Sequence, residues 1–315
     1  MIFKFEPIYQ TRVWGGTMFS DILGRKISYS EPIGESWDLV DRNENQSVLV
    51  NTKLRGKTIR ELIEADTLGM MGPHWKKEMA FPVLVKWLDC SDRLSLQVHP
   101  PKEIASEFNA EPKTENWYVA HAEKGAGLYA GLKKGTSRQM FENALKHNAA
   151  ESLCHRINSM KNDSLLLKSG RIHAIDAGNL ILEIQQNSNS TFRVYDWGRT
   201  GLDGKPRELH IEQSLKCIDF EDFEPEAIHS CNDVQVQILA DEEHFRIRKF
   251  NCNQAQVLKI KESNVNCTLV HVVEGSLQVC GETLVAGEHG LSPFAHDCVV
   301  ANDCTTRFLV TDKFA

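Results

Sequence analysis

Short apolar runs closed by Gly, Asn, Asp and Pro turns recur along most of the chain, and only three stretches keep a helical spacing. This pattern constrains the fold most, because a doubly wound parallel sheet needs a helix between successive strands. Pro82–Leu88, Leu94–His99, Trp117–Ala120, Leu180–Gln185 and Thr191–Tyr195 read as strands. Thr58–Glu61 has the form of a capping box, with Ile59, Leu62 and Ile63 on one face behind it. Ser137–His147 groups Met140, Phe141, Ala144 and Leu145 on a helical face, and a third helix is expected from Arg207 to Ile218. Neither a regular βαβ alternation nor a G-x-G-x-x-G occurs. A nucleotide-binding doubly wound sheet is therefore disfavoured, and mostly antiparallel β with helical insertions is expected.

At 315 residues the chain exceeds what one small core needs, so two domains are expected. From about Ala240 the runs shorten into hairpins: Gln256–Ile260, Thr268–Glu274, Ser276–Cys280 and Thr283–Ala286. The division expected is a larger domain over 1–238 and a smaller β domain over 239–315. Lys and Arg number 36 against 43 Asp and Glu, a net charge of −7, which argues against a nucleic-acid partner. The longest apolar run, Phe81 to Leu88, is cut by Lys86 and falls short of the roughly 20 residues that span a bilayer. No membrane partner is expected. Met1–Pro7 lacks a basic-then-apolar leader, and the nine cysteines form no C-x-x-C. Reduced thiols in a cytoplasmic protein are the expectation.

Chemistry concentrates in four stretches. On Asp92–Pro100, strand alternation sends Leu94, Leu96 and Val98 into a wall and gathers Ser95, Gln97 and His99 on the other face. A polar row backed by an apolar one suits the lining of a β-barrel site, and equally a half-exposed strand with a solvated face. Lys113–Tyr118 carries Glu115, and Ser169–Ala174 carries His173. Taken singly, these read as a surface carboxylate and a core histidine. Taken together, His99, Glu115 and His173 make a two-His, one-carboxylate set, an arrangement of catalytic zinc that leaves coordination positions open. The three are dispersed, so only a fold can join them. Ile181–Arg199 places Glu183 and Gln185 on one strand face and Thr191, Arg193 and Tyr195 on another, around a polar turn at Asn187–Ser190.

Thr11–Gly16 (Thr-Arg-Val-Trp-Gly-Gly), Gly34–Trp37, Gln97–Pro100, Lys113–Glu115, Gly170–Ala174 and the stretch from Glu183 to Arg199 together resemble type I mannose-6-phosphate isomerase, most closely its short bacterial form. The resemblance runs from about Tyr9 to Ile218. It implies a mostly β fold, a cupin β-barrel with helical insertions and a second, smaller cupin-like β domain. It implies one zinc ion per monomer on His99, Glu115 and His173, with Gln97 as a fourth ligand. By the same resemblance Arg193 is the catalytic arginine, Glu183 the proton-transferring base and Lys113 a site lysine, while Ser95, Lys86 and Arg199 surround the phosphate. Lys168 and Arg171 depart from the family's pattern by adding positive charge just before His173. The implied reaction interconverts mannose 6-phosphate and fructose 6-phosphate through an enediolate, in a monomer or homodimer whose partner is a small sugar phosphate. A cupin that binds a sugar phosphate without turning it over is the alternative, and a zinc hydrolase on the same barrel is a third reading. The presence of every implied ligand and of Arg193 counts against a dead site. His271, His289 and His296 match no standard metal spacing.

Overall fold

The computed structural model describes residues 1–231, 234–262 and 265–315. A six-stranded sheet runs in the order β1 (Ile8–Gly16), β2 (Ile33–Leu39), β3 (Val83–Cys90), β10 (Asn179–Gln186), β5 (Glu115–Ala122) and β8 (Ser164–Leu167). A five-stranded sheet follows the order β11 (Phe192–Tyr195), β4 (Leu96–Val98), β9 (His173–Ile175), β6 (Gly127–Leu132) and β7 (Cys154–Asn158). Trp14, Leu88, Cys90, Trp117, Val119, Leu165 and Ile181 of the first sheet pack in one cluster with Leu128, Ala130 and Ile175 of the second. The result is a mostly β fold of the cupin type, as expected.

Strand parity explains how one interior holds both a core and a polar site. Lys86 shares a face with Leu88, Glu115 with Trp117, and Glu183 with Ile181, because alternate residues point the same way. Register keeps the rows aligned: Ile181 faces Val119, Glu183 faces Trp117 and Gln185 faces Glu115. The inner face is thus apolar along one half of the strands and charged along the other.

The outer face of the second sheet carries Leu96, Val98, Tyr129, Leu132, Ala174 and Val194. Phe141 of helix α4 (Arg138–Lys146) and Cys217 of helix α5 (Ile211–Cys217) pack in the same cluster. Ser137 caps α4 by accepting from the Met140 N–H, which satisfies one donor of the first turn. Two expectations need correction here. Leu94 does not join Leu96 and Val98: β4 begins only at Leu96, and Leu94 packs in the barrel core with its N–H on the Ile175 carbonyl. Helix α5 begins at Ile211 and not Arg207, because the preceding residues run beside β11, with the His210 N–H on the Arg193 carbonyl.

Compactness divides the chain into Tyr9–Ser36 with Val85–Ser230, and Met1–Ile8 with Trp37–Leu84 and Cys231–Ala315. The first 238 residues therefore do not all fall in one unit. Helix α1 (Met18–Asp21) belongs to the first unit, and the short helices α2 (Ile59–Ala65) and α3 (Thr67–Met71) to the second. The capping box at Thr58 is formed, with Glu61 N–H on the Thr58 hydroxyl and Thr58 N–H on the Glu61 carboxylate. Backbone bonds from Phe294 and Ala295 to the carbonyls of Met70 and Gly69 tie α3 to the C-terminal residues. Those residues form two further sheets. One has the order β12 (Val236–Asp241), β13 (Arg246–Cys252), β20 (Thr306–Asp312), β15 (Thr268–Glu274), β18 (His289–Ser292). The other runs β14 (Gln256–Lys259), β19 (Val299–Asn302), β16 (Ser276–Val279), β17 (Glu282–Val285). Among the described residues, no helix is long and apolar enough to cross a membrane.

Candidate active site

His99 follows β4, Glu115 opens β5 and His173 opens β9, so the ends of the adjacent strands β4 and β9 and of β5 in the other sheet deliver all three to the polar half of the barrel. His99 Nε2 lies 3.3 Å from Glu115 Oε2, and His173 Nε2 lies 3.4 Å from Glu115 Oε1. All three side chains are buried, and their ligating atoms lie within 4.8 Å of one another. Among the described residues this is the one group of three or more such side chains that converges closely enough for an ion.

The donor chemistry fits a metal. His99 Nδ1 donates to the Ser190 carbonyl and His173 Nδ1 to the Arg171 carbonyl, each at 2.9 Å. A carbonyl only accepts, so each Nδ1 carries the proton and each Nε2 presents a lone pair to Glu115. Burial pushes the His99 pKa down to about 3, with Lys113 adding to the effect, and burial lowers that of His173 as well. Both imidazoles are thus neutral. Buried lone pairs facing carboxylate oxygens at these distances repel unless a cation lies among them, and His99 Nε2 has no hydrogen-bond partner. Burial opposes ionisation of Glu115, but Lys113, 2.6 Å from Oε2, outweighs it and holds the carboxyl well below its ordinary range. Burial likewise works against the Lys113 ammonium, and Glu115 and Glu183 overcome it.

Beside the triad opens a cavity of about 410 Å³ whose walls include Gln97, Lys113, Lys86, Glu183, Arg193, Arg207 and Arg12. Gln97 faces His173 across the ladder and donates from Nε2 to the Ser95 hydroxyl at 3.0 Å, which leaves its amide oxygen as the acceptor. Glu183 Oε2 accepts from Trp117 Nε1 at 3.0 Å, while Oε1 lies 3.4 Å from Lys86 Nζ and 3.8 Å from Lys113 Nζ. Arg193 faces Gln97 in register, donates from Nη1 to the Glu208 carbonyl at 2.7 Å, and keeps a buried Nε without a hydrogen-bond partner.

The family model for the phosphomannose isomerase type I catalytic domain matches residues 2–126. Mannose-6-phosphate isomerase ManA of Bacillus subtilis (strain 168) is 32% identical over 301 residues, covering 92% of each chain. The chain belongs to the type I mannose-6-phosphate isomerases. A mannose-6-phosphate isomerase of Streptococcus mutans is 37% identical over 216 residues, 67% of each chain. The crystal structure of the Bacillus subtilis mannose 6-phosphate isomerase superposes with a TM-score of 0.85 at 28% identity over 99% of both chains. A phosphomannose isomerase from Salmonella typhimurium, 15% identical, shares the fold with a TM-score of 0.75.

Within this isomerase, His99, Glu115, His173, Gln97, Lys113, Glu183, Lys86 and Arg193 come together at or beside the cavity. Ser95 is buried and reaches the site only through Gln97. Arg199 does not stand in the cavity wall. Its Nε and Nη2 donate to Asp196 Oδ1, and its Nη1 to Asp92 and to the Arg93 carbonyl. These partners hold Arg199 away from the cavity wall, where the motif's likeness had set it beside the phosphate. Arg171 is likewise engaged, by a bidentate pair with Asp222 at 2.7 and 2.8 Å, and Lys168 is exposed, so neither charges the cavity. Arg12 and Arg207 carry no sequence signal of their own. Arg12 lies inside the Thr11–Gly16 motif, and Arg207 in a stretch whose pattern reads as helix. In the C-terminal residues His271 Nδ1 meets His289 Nδ1 at 2.9 Å and His289 Nε2 lies 3.1 Å from Asp38, a paired cluster and not a convergent ligand set.

Proposed function

We propose that this isomerase is zinc-dependent and interconverts mannose 6-phosphate and fructose 6-phosphate, moving a proton between C2 and C1 through an enediolate. The observation that carries this reading is a buried His–Glu–His set opening beside a cavity whose wall sets Glu183 between Lys86 and Lys113. Held by His99, Glu115, His173 and Gln97, a zinc ion supplies Lewis-acid stabilisation of developing negative charge. Glu183 is the base: the Trp117 N–H fixes one carboxylate oxygen, leaving the other to take the proton at C2 and return it at C1. Lys86 and Lys113 hold Glu183 in place by charge from two sides. Arg193 directs charge-assisted donors at the enediolate oxygens, where its interaction is stronger than with the neutral sugar.

A coupled assay on mannose 6-phosphate, with and without a chelator, tests the reading. Activity lost on chelation and restored by zinc is the expected result, with deuterium from solvent entering the recovered hexose phosphates. Undiminished turnover in metal-free protein would refute it, and binding without turnover would favour a sugar-phosphate sensor.

A further inference from the structure

The motif-based assignment leaves the phosphate without its arginine once Arg199 is found engaged elsewhere. Lys86 does not fill the gap. The reacting carbons and the phosphate lie at opposite ends of a hexose 6-phosphate, and Lys86 stands 3.4 Å from Glu183, at the reacting end. Arg12 lines the cavity, but its Nε and Nη2 grip Glu35 at 3.0 and 3.1 Å and its Nη1 donates to the Thr11 carbonyl. Its charge is already matched.

Arg207 differs on each count. The stretch from Arg207 to His210 runs beside β11, and Arg207 stands in the wall between the main cavity and an adjoining recess of about 300 Å³. Among the described residues only Asp196 engages its guanidinium, at Nη1 and 3.2 Å, while Arg199 holds the same carboxylate more closely at 2.9 and 3.0 Å. Three guanidinium groups, those of Arg193, Arg199 and Arg207, thus gather about buried Asp196, with exposed Asp92 on Arg199 and exposed Glu208 near Arg193, and of the two that bond Asp196 it is Arg207 that holds it less closely. An anion in the cavity can engage the donors of Arg207 that Asp196 does not hold. We infer that Arg207, and not Arg199, receives the phosphate of the substrate, while Arg199 serves to hold Asp196; the assignment rests on the isomerase reading above. Burial, and then the nearby charge of Arg193, press the Arg207 pKa down, a strain that a bound dianion relieves.

The test compares wild type, Arg207→Gln, Arg207→Lys and Arg199→Gln, with mannose 6-phosphate kinetics and with calorimetric binding of inorganic phosphate and of sorbitol 6-phosphate, which cannot isomerise. Loss of a charge-assisted grip is worth about tenfold to a hundredfold, so Arg207→Gln should raise KM and weaken both bound probes by that factor, with kcat within about threefold. Arg207→Lys should recover part of the affinity, since it restores charge without the planar fork of donors. Arg199→Gln should lower the melting temperature and leave KM within about threefold. Unchanged KM and phosphate affinity in Arg207→Gln, or a KM rise confined to Arg199→Gln, overturns the assignment. Should wild type bind sorbitol 6-phosphate without isomerising mannose 6-phosphate, the isomerase reading fails while the binding comparison still decides for or against Arg207.

Discussion

Replacing Lys113 with Met keeps the methylene stem and removes the one cation within 3 Å of Glu115. At 2.6 Å and an effective dielectric of about 20, the pair attracts by about 6 kcal/mol before desolvation is subtracted. Removing one partner of a buried pair costs about 3–5 kcal/mol, because the other charge stays buried. Glu183 retains Lys86 and the Trp117 N–H, so the cost falls mainly on Glu115. At about 2–4 °C per kcal/mol, the chelated variant should melt about 6 to 20 °C below chelated wild type. Zinc then stabilises the two proteins by different amounts. In wild type the ion competes with Lys113 for Glu115; in Lys113→Met it meets an unmatched carboxylate, so the zinc-induced rise in Tm should be larger in the variant. Thermal melts of both proteins, with chelator and across a zinc titration, read both effects. A loss under about 2 °C in chelator, or an equal zinc-induced rise in both proteins, would refute the argument.

Metal analysis of purified protein should give near one zinc per chain, and His99→Ala or His173→Ala should lower it sharply; unchanged content would exclude the triad as the site. Arg193→Ala should reduce kcat by about 10²–10³ with little change in KM and zinc content, and Arg193→Lys should recover only part; loss of binding in step with turnover would place Arg193 on the ground state instead. Burial, helped by His289, holds the pKa of His271 well below its ordinary value, so the folded chain keeps it neutral while the unfolded chain protonates near 6.5. Its contribution is therefore complete above about pH 6.5 and declines by about 1.4 kcal/mol per unit below it, until the folded value is reached. Urea midpoints at pH 7.5 and 5.5 should show a larger acid loss in wild type than in His271→Gln, and equal losses would count against this account.

Much of the site is legible in the residue pattern, because strand alternation and helix caps are local. The Thr58 capping box and the Ser137 cap form where their residue types place them, and within β4 parity sets Gln97 opposite the apolar Leu96 and Val98. The same alternation fails at Leu94, where the chain is not yet strand. The Arg207–His210 segment has a helical pattern, and the bond from the His210 N–H to the Arg193 carbonyl on β11 holds its end out of the helix. The order and spacing of motifs carry the family, and with it the likeness of His99, Glu115 and His173 to a zinc site.

Residue types and their local periods determined a β-rich chain, its caps and the donors available for a metal. Only the packing of the two sheets decided that strand ends more than 70 residues apart in sequence, at His99 and His173, deliver their rings to one carboxylate. It also decided which arginines face the cavity. Arg193, Arg199 and Arg207 are alike in charge and close in sequence, and what separates them is the set of acceptors each one meets. Pairing at that range depends on sheet register and chain closure, which no local pattern encodes.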